Sequence, residues 1–176
     1  LALPGTQAFE TPLGRVPIDR EAVNRILALH QVTTSAAAHA QEHSLEVQLP
    51  FLQEVLGDFQ LVPLAVGDAT REDVAEVIEA LWGGPETLIV VSSDLSHYLP
   101  YQAAQHIDNQ TCAAIARLQT LDSHEQACGA TPVNGLLLAA RHHHLTPQLL
   151  DLRNSGDTAG DRERVVGYAA FAFTED

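Results

Sequence analysis

The sequence predicts an α/β domain in which a mostly parallel sheet is flanked by helices. Through the middle of the chain, short apolar runs alternate with stretches whose apolar residues recur at helical spacing. The run TLIVV at 87–91 is rich in β-branched residues, which is typical of a parallel strand buried on both faces. Helical patterns between such runs indicate crossover connections, and these place helices on both faces of a parallel sheet.

The first part of the chain predicts an opening loop and two helices. Pro and Gly are frequent in 1–17, which indicates a loop with short extended pieces. Asp19 is a good N-cap for a first helix. Leucines on one side of 42–56 predict a second helix, with a kink or a start close to Pro50 because proline lacks the amide hydrogen. Gly57 is expected to end it.

The remaining elements follow in alternation. The apolar run at 59–66 predicts a buried strand. Thr70 and Asp73 resemble a capping box, which predicts the start of the next helix. A loop at 92–98 follows the strand at 87–91. Further helices are predicted at 101–118, 122–128 and 132–142, and further strands at 148–153 and 165–173, with a loop at 154–164 between these strands.

Composition limits the class of protein. The chain has 176 residues, of which 45% are hydrophobic and 18% charged, as expected for one globular domain spanning 1–176. The net charge of -14 argues against nucleic acid or an anionic membrane as a partner, because phosphates would be repelled. The two cysteines form no disulfide framework, and no signal peptide or membrane-length apolar run is visible. A cytoplasmic protein is the simplest expectation.

Asp94 and His97 are the first candidate site residues. They lie in the loop after the predicted strand at 87–91, and sites of open α/β sheets form at the carboxyl ends of strands. An imidazole there can act as a base or as a metal ligand near neutral pH. The alternative is that Asp94 caps the next turn and His97 packs against Tyr98.

His43 and Cys128 are the second pair of candidates. His43 opens an amphipathic stretch, where a neutral, metal-bound imidazole or a solvated side chain are both compatible with the sequence. Cys128 could supply a thiolate ligand or nucleophile, or could be a small buried apolar residue. Cys112 lies among alanines inside a predicted helix, where a packing role is expected.

Several ordered motifs resemble those of the MEMO family. They are EHSLEVQLPFL at 42–52, VSSDLSHY at 91–98, ACGATPVNGLLL at 127–138, and NSGDTAGD at 154–161 followed by VVGYAA. The resemblance also takes in TPLG at 11–14 and LVPLAVG at 61–67, and so covers essentially the whole chain. It implies a fold similar to that of the class III extradiol dioxygenases, which hold non-haem Fe(II).

The resemblance implies roles for the four candidates. His43 and Cys128 match metal ligands of the family, and Asp94 and His97 match a pair beside the metal, in which His97 serves as acid and base. The expected cofactor is Fe(II) or Cu, with Zn as an alternative, since a thiolate favours softer metals and two His with one Cys also suits catalytic zinc. The sequence indicates no substrate-binding residues.

One family motif is absent. The family has a further metal-binding His in a G-P-x-H motif upstream of T-P-L-G, and this chain contains no such motif. The first strand of the family's domain is missing as well, so the chain is expected to be the C-terminal two thirds of a MEMO-like domain. The incomplete sheet would then expose an apolar edge and favour self-association.

Three functions are compatible with these residues. The first is a metal-dependent redox or dioxygenase-like enzyme that acts with Fe or Cu on a small-molecule substrate. The second is a non-catalytic protein that binds copper or iron or docks a partner. The third is a zinc-dependent hydrolase on a related scaffold, in which Asp94 or His97 activates water.

Overall fold

The computed structural model describes residues 1–158 and 160–175, and it is a mixed α/β protein. Ala159, which belongs to the motif at 154–161, lies outside the described residues. The chain divides into two compact units, Leu1–Ser92 and Ser93–Asp176. That these units together form one MEMO-like domain stays a prediction.

The first unit contains four short strands and four helices. The strands are β1 (Ala2–Leu3), β2 (Ala8–Thr11), β3 (Gly14–Pro17) and β4 (Thr33–Thr34), and the helices are α1 (Arg20–Ile26), α2 (Ala36–His39), α3 (Leu49–Leu56) and α4 (Arg71–Leu81). Strand β1 pairs in parallel with β4, and β2 pairs antiparallel with β3. Leu3, Ile26, Val32 and Val77 form the buried core of this unit.

The local start and stop signals in this unit are confirmed. The Asp19 side chain accepts the amide hydrogen of Ala22 at the start of α1. Thr70 and Asp73 form a reciprocal capping box at the start of α4. Helix α3 begins at Leu49 with a proline in its first turn, where a missing amide hydrogen costs nothing. Gly57 ends it with a φ of 71°, which glycine adopts without strain.

The second unit packs two helices with an antiparallel sheet. Its elements are β5 (His97–Leu99), α5 (Tyr101–Ala116), α6 (Ala130–His142), β6 (Thr146–Asn154), a 3₁₀ helix at Ser155–Asp157, and β7 (Val165–Thr174). The strand order is β5-β7-β6, and both pairings are antiparallel. The core of this unit is formed by Leu95, Cys112, Ile115, Leu121, Ala127, Ala130 and Leu137.

The mostly parallel sheet is not confirmed. In the described part of the chain, β1–β4 is the parallel pair of strands, and the largest sheet is antiparallel. The predicted strand at 59–66 makes isolated bridges instead of a ladder. No strand forms at 87–91, where Leu88 is 61% and Val90 47% exposed. A β-branched run indicates a strand only when neighbouring backbone is available to pair with it.

Two further expectations are wrong at the level of local structure. Residues 122–128 form turns instead of a helix, because the side-chain oxygen of Gln126 accepts the amide hydrogen of Asp122 and so competes with helical bonding. His97 begins strand β5 and does not lie in a loop, since it pairs with Val166 of β7.

Among the described helices, none combines the length and the apolar character that a membrane crossing requires.

Candidate metal site

Three of the four predicted site residues come together in the second unit. Asp94, His97 and Cys128 each direct one ligand atom to a common region, and these atoms all lie within 4.8 Å of one another. His97 Nε2 is 3.5 Å from Asp94 Oδ2. The group combines a carboxylate, an imidazole and a thiol in a partly exposed position.

Cys128 is fixed to Asp94 through the backbone. Its amide donates to the Asp94 carbonyl at 3.2 Å. The Ser93 hydroxyl donates to the same carbonyl at 2.8 Å and accepts from the Gly129 amide at 2.9 Å, so it links both sides of the site. A Cβ on Gly129 would lie 2.9 Å from Ser93, which explains the glycine after the cysteine. His124 Nδ1 donates to the Cys128 carbonyl at 3.0 Å.

The segment between Asp94 and His97 is held by β7 and α5. The Leu95 amide donates to the Gly167 carbonyl, and the Gly167 amide donates to the Ser96 carbonyl, both at 2.9 Å. The Ser96 amide donates to Asp108 Oδ1 at 3.0 Å. Backbone amide and carbonyl groups of this short segment are therefore both hydrogen-bonded, and this limits how far the Asp94 and His97 side chains can move apart.

Two tyrosines flank the group. Tyr98 has a φ of 57°, which is uncommon for a residue other than glycine, and its ring meets the His97 ring edge-on with centroids 5.7 Å apart. The Arg164 guanidinium lies 5.0 Å from the Tyr98 ring centroid. Burial and then the Asp94 carboxylate raise the pKa of Tyr168. The packing of His97 against Tyr98 thus coexists with its place in the ligand group.

The two cysteines have different environments. Cys112 is buried, and burial raises the pKa of its thiol to about 11, so it stays protonated near neutral pH. Cys128 is an exposed free thiol. Exposure contradicts the alternative in which Cys128 is a small buried apolar residue, whereas the packing role expected of Cys112 is confirmed.

His43 lies in the first unit and is not a member of the Asp94, His97 and Cys128 group. Its side chain is 76% exposed, and its Nδ1 lies 2.8 Å from Glu46 Oε1. Glu42 accepts the Ser44 amide hydrogen, which lowers the pKa of the Glu42 carboxyl. A metal-binding role for His43 stays a prediction.

The donor set suits a transition metal. Ligand atoms bind zinc at roughly 2.0–2.3 Å, so two ligands of one ion lie at most about 4.6 Å apart. Atoms within 4.8 Å reach that spacing after a small rotation of partly exposed side chains. One nitrogen, one sulfur and one oxygen donor fit Zn, Fe or Cu and do not fit Ca²⁺ or Mg²⁺, which prefer oxygen alone.

A separate cleft of about 480 Å³ lies in the first unit. Its lining includes Arg15, Val16, Gln53, Asp58, Phe59 and Gln60. None of the four predicted site residues lines it.

Sequence reasoning missed the residues that support the group. Ser93 belongs to the S-S-D motif, and its position beside Asp94 was the one available signal. Asp108 lies in α5, His124 in the turns before α6 and Gly167 in β7, and no spacing pattern connects them to the site. Their roles follow from three-dimensional contacts alone.

Comparison with known proteins agrees with the motifs. The sequence matches the family described as Memo-like protein over residues 2–172. It is 35% identical over 179 residues to a MEMO1 family protein of Methanosarcina barkeri, covering 94% of this chain and 67% of that protein. It is 35% identical over 176 residues to a MEMO1 family protein of Aeropyrum pernix, covering 92% of this chain and 63% of that protein. It is 36% identical over 178 residues to a MEMO1 family protein of Aquifex aeolicus, covering 94% of this chain and 67% of that protein. The chain thus spans about two thirds of the length of these curated relatives.

Proposed function

The chain belongs to the Memo-like protein family, and on that premise we propose that it binds one metal ion through Asp94, His97 and Cys128. The observation that carries the proposal is the convergence of three different ligand types within 4.8 Å. Backbone hydrogen bonds, described above, hold the residues that supply them. A group that is positioned before the ion arrives loses little conformational entropy on binding.

The proposed ion is Fe(II) or Cu, with Zn as the alternative. A thiolate shifts the preference towards softer metals, and an imidazole suits all three ions. Three protein ligands leave positions free for a small molecule or water. When bound, an ion of this kind would supply redox or Lewis-acid chemistry to a molecule in those positions.

The finer proposal is a metal-dependent redox or dioxygenase-like activity on a small molecule. His97 Nε2 and Asp94 Oδ2 are 3.5 Å apart and cannot hold a proton while both bind the ion, so the small molecule would occupy one of the positions that the three ligands leave free. The exposed Tyr98 ring next to His97 offers an apolar surface to such a substrate.

Titration with Co²⁺ as a spectroscopic probe tests the metal site. Cys128→Ser should abolish the thiolate-to-cobalt charge-transfer absorption and weaken binding by more than the roughly 10–100-fold typical of outer-shell changes. Cys112→Ala is the matched control, because the protonated, buried Cys112 thiol is not a ligand. Equal Co²⁺ binding and absorption in Cys128→Ser and the wild-type protein would contradict the proposal.

Activity measurements on the metal-loaded protein distinguish the three functions. Iron together with O₂ consumption in the presence of a catechol supports the redox enzyme. Tight Cu(I) binding without turnover supports a copper-binding protein. Zinc in the purified protein together with ester cleavage supports the hydrolase.

Further parts of the proposal concern the surroundings of this group. The resemblance adds His43 as another ligand, and the Co²⁺ affinity of His43→Ala decides whether it contributes. A fold similar to that of the class III extradiol dioxygenases is part of the proposal through the resemblance of the motifs alone. A cytoplasmic location is consistent with two free thiols.

A further inference from the structure

A buried carboxylate lies behind the proposed metal site. Asp108 of α5 is 2% exposed, and no Lys or Arg forms an ion pair with it among the described residues. Burial raises the pKa of its carboxyl, and the hydrogen bond from the Ser96 amide opposes that rise. Buried ionisable groups without a cation are costly, so a role beyond packing is expected.

Asp108 meets the short segment that connects two of the proposed ligands. The Ser96 amide, which lies between Asp94 and His97, donates to Asp108 Oδ1 at 3.0 Å. The carbonyl of Ser96 and the amide of Leu95 are bound by the backbone of Gly167. The Ser96 amide is thus hydrogen-bonded to a side chain, whereas the Leu95 amide and the Ser96 carbonyl are hydrogen-bonded to the backbone of β7.

Gly167 of β7 leaves the space that the Asp108 carboxylate occupies. A Cβ added to Gly167 would lie 2.1 Å from Asp108 Oδ2 and 2.8 Å from Oδ1. Only glycine leaves room for the carboxylate against the backbone of β7. Asp108 and Gly167 therefore fit each other, and both contact the backbone that carries Asp94 and His97.

We propose that Asp108 is a positioning residue of the metal site, which sets the separation of Asp94 and His97 by fixing the Ser96 peptide. This inference rests on the proposed metal-binding function. The Ser96 amide belongs to a peptide between the two ligands, so its rotation would move His97 relative to Asp94, whose carbonyl is held by the Cys128 amide and the Ser93 hydroxyl. Supporting groups of this kind orient metal ligands without touching the ion.

The test compares three substitutions at Asp108. Asp108→Asn keeps an oxygen that accepts the Ser96 amide, whereas Asp108→Leu keeps the approximate shape without an acceptor and Asp108→Ala removes both. Co²⁺ affinity should fall about 10–100-fold in the Leu and Ala variants and stay within about threefold of wild type in the Asn variant. Asp157→Ala is the control, because that residue caps the 3₁₀ helix and is not in the ligand group.

A measurement on the metal-free protein separates this inference from the metal proposal. Hydrogen exchange at the Ser96 amide should accelerate in Asp108→Leu and Asp108→Ala, and the imidazole resonances of His97 should shift, while Asp108→Asn and Asp157→Ala leave both unchanged. If the wild-type protein binds no Co²⁺, the metal proposal fails, and these two measurements alone decide the role of Asp108.

Two results would overturn the positioning role. One is a Leu or Ala variant that is folded by circular dichroism and has the same Ser96 amide exchange as wild type, together with unchanged His97 resonances or unchanged Co²⁺ affinity. The other is failure of both variants to fold while Asp108→Asn behaves like them, which would make Asp108 a structural residue only.

Discussion

Gly167→Ala tests the close packing of Asp108 against Gly167. The added Cβ would lie 2.1, 2.6 and 2.8 Å from the Oδ2, Cγ and Oδ1 atoms of Asp108. Ordinary van der Waals contact begins near 3.4 Å, so the carboxyl would have to move by about 1 Å. That movement would stretch the 3.0 Å hydrogen bond from the Ser96 amide.

The expected loss of stability follows from these contacts. Overpacking a buried position costs about 1–3 kcal/mol. Leaving the buried Ser96 amide without an acceptor costs roughly a further 1–3 kcal/mol. Replacing glycine restricts the unfolded chain and offsets up to about 1 kcal/mol, because Gly167 does not need a positive φ. Gly167→Ala should therefore lower the free energy of unfolding by about 1–6 kcal/mol.

Urea denaturation of purified variants measures this loss. Gly67→Ala is the matched control, since a Cβ there meets no atom within 4 Å, and its free energy of unfolding should stay within about 0.5 kcal/mol of wild type. The double variant Asp108→Ala with Gly167→Ala should lose less than the two single variants together, because the clash is removed. A Gly167→Ala protein as stable as the control would refute the reasoning.

Three more predictions follow from exposure and charge. Iodoacetamide at neutral pH should modify Cys128 well before Cys112, whose buried thiol has its pKa raised to about 11; equal labelling by mass spectrometry would contradict this. The hydrogen bond from Tyr101 lowers the pKa of Asp157, so Tyr101→Phe should raise that pKa in an NMR titration. The stability that Asp157 contributes is lost as pH falls through its folded pKa, so in this variant it should be lost at a higher pH. An unchanged pKa would remove Tyr101 as the cause. Leu88 and Val90 are 61% and 47% exposed on a segment that forms no strand, so the chain should self-associate through this apolar segment. Leu88→Lys should reduce the self-association measured by light scattering, and a monomeric wild-type protein would count against it.

The elements that could be predicted from sequence are those defined by nearby residues. The capping box of Thr70 and Asp73, the Asp19 cap and the glycine end of α3 depend on residues within a turn of one another. The strand at 87–91 was predicted from composition alone and does not form, because pairing requires backbone from distant parts of the chain. The antiparallel β6–β7 pairing was not indicated by any local pattern.

The candidate site was predictable in part for the same reason. Asp94 and His97 are three residues apart, so the sequence could suggest that they act together. Cys128 joined them only through the resemblance, since its backbone contact with Asp94 connects two separate motifs. Asp108 and Gly167 remained invisible, because a buried carboxylate facing a glycine leaves no periodicity in the sequence.

X-ray absorption at the metal edge of the Zn²⁺-loaded protein tests the metal site most directly. If Cys128, His97 and Asp94 bind the ion, the spectrum should show one sulfur at about 2.3 Å and nitrogen and oxygen neighbours at about 2.0–2.2 Å. The sulfur contribution should disappear in Cys128→Ser and persist in Cys112→Ala. A first coordination shell of nitrogen and oxygen alone in the wild-type protein would contradict the account.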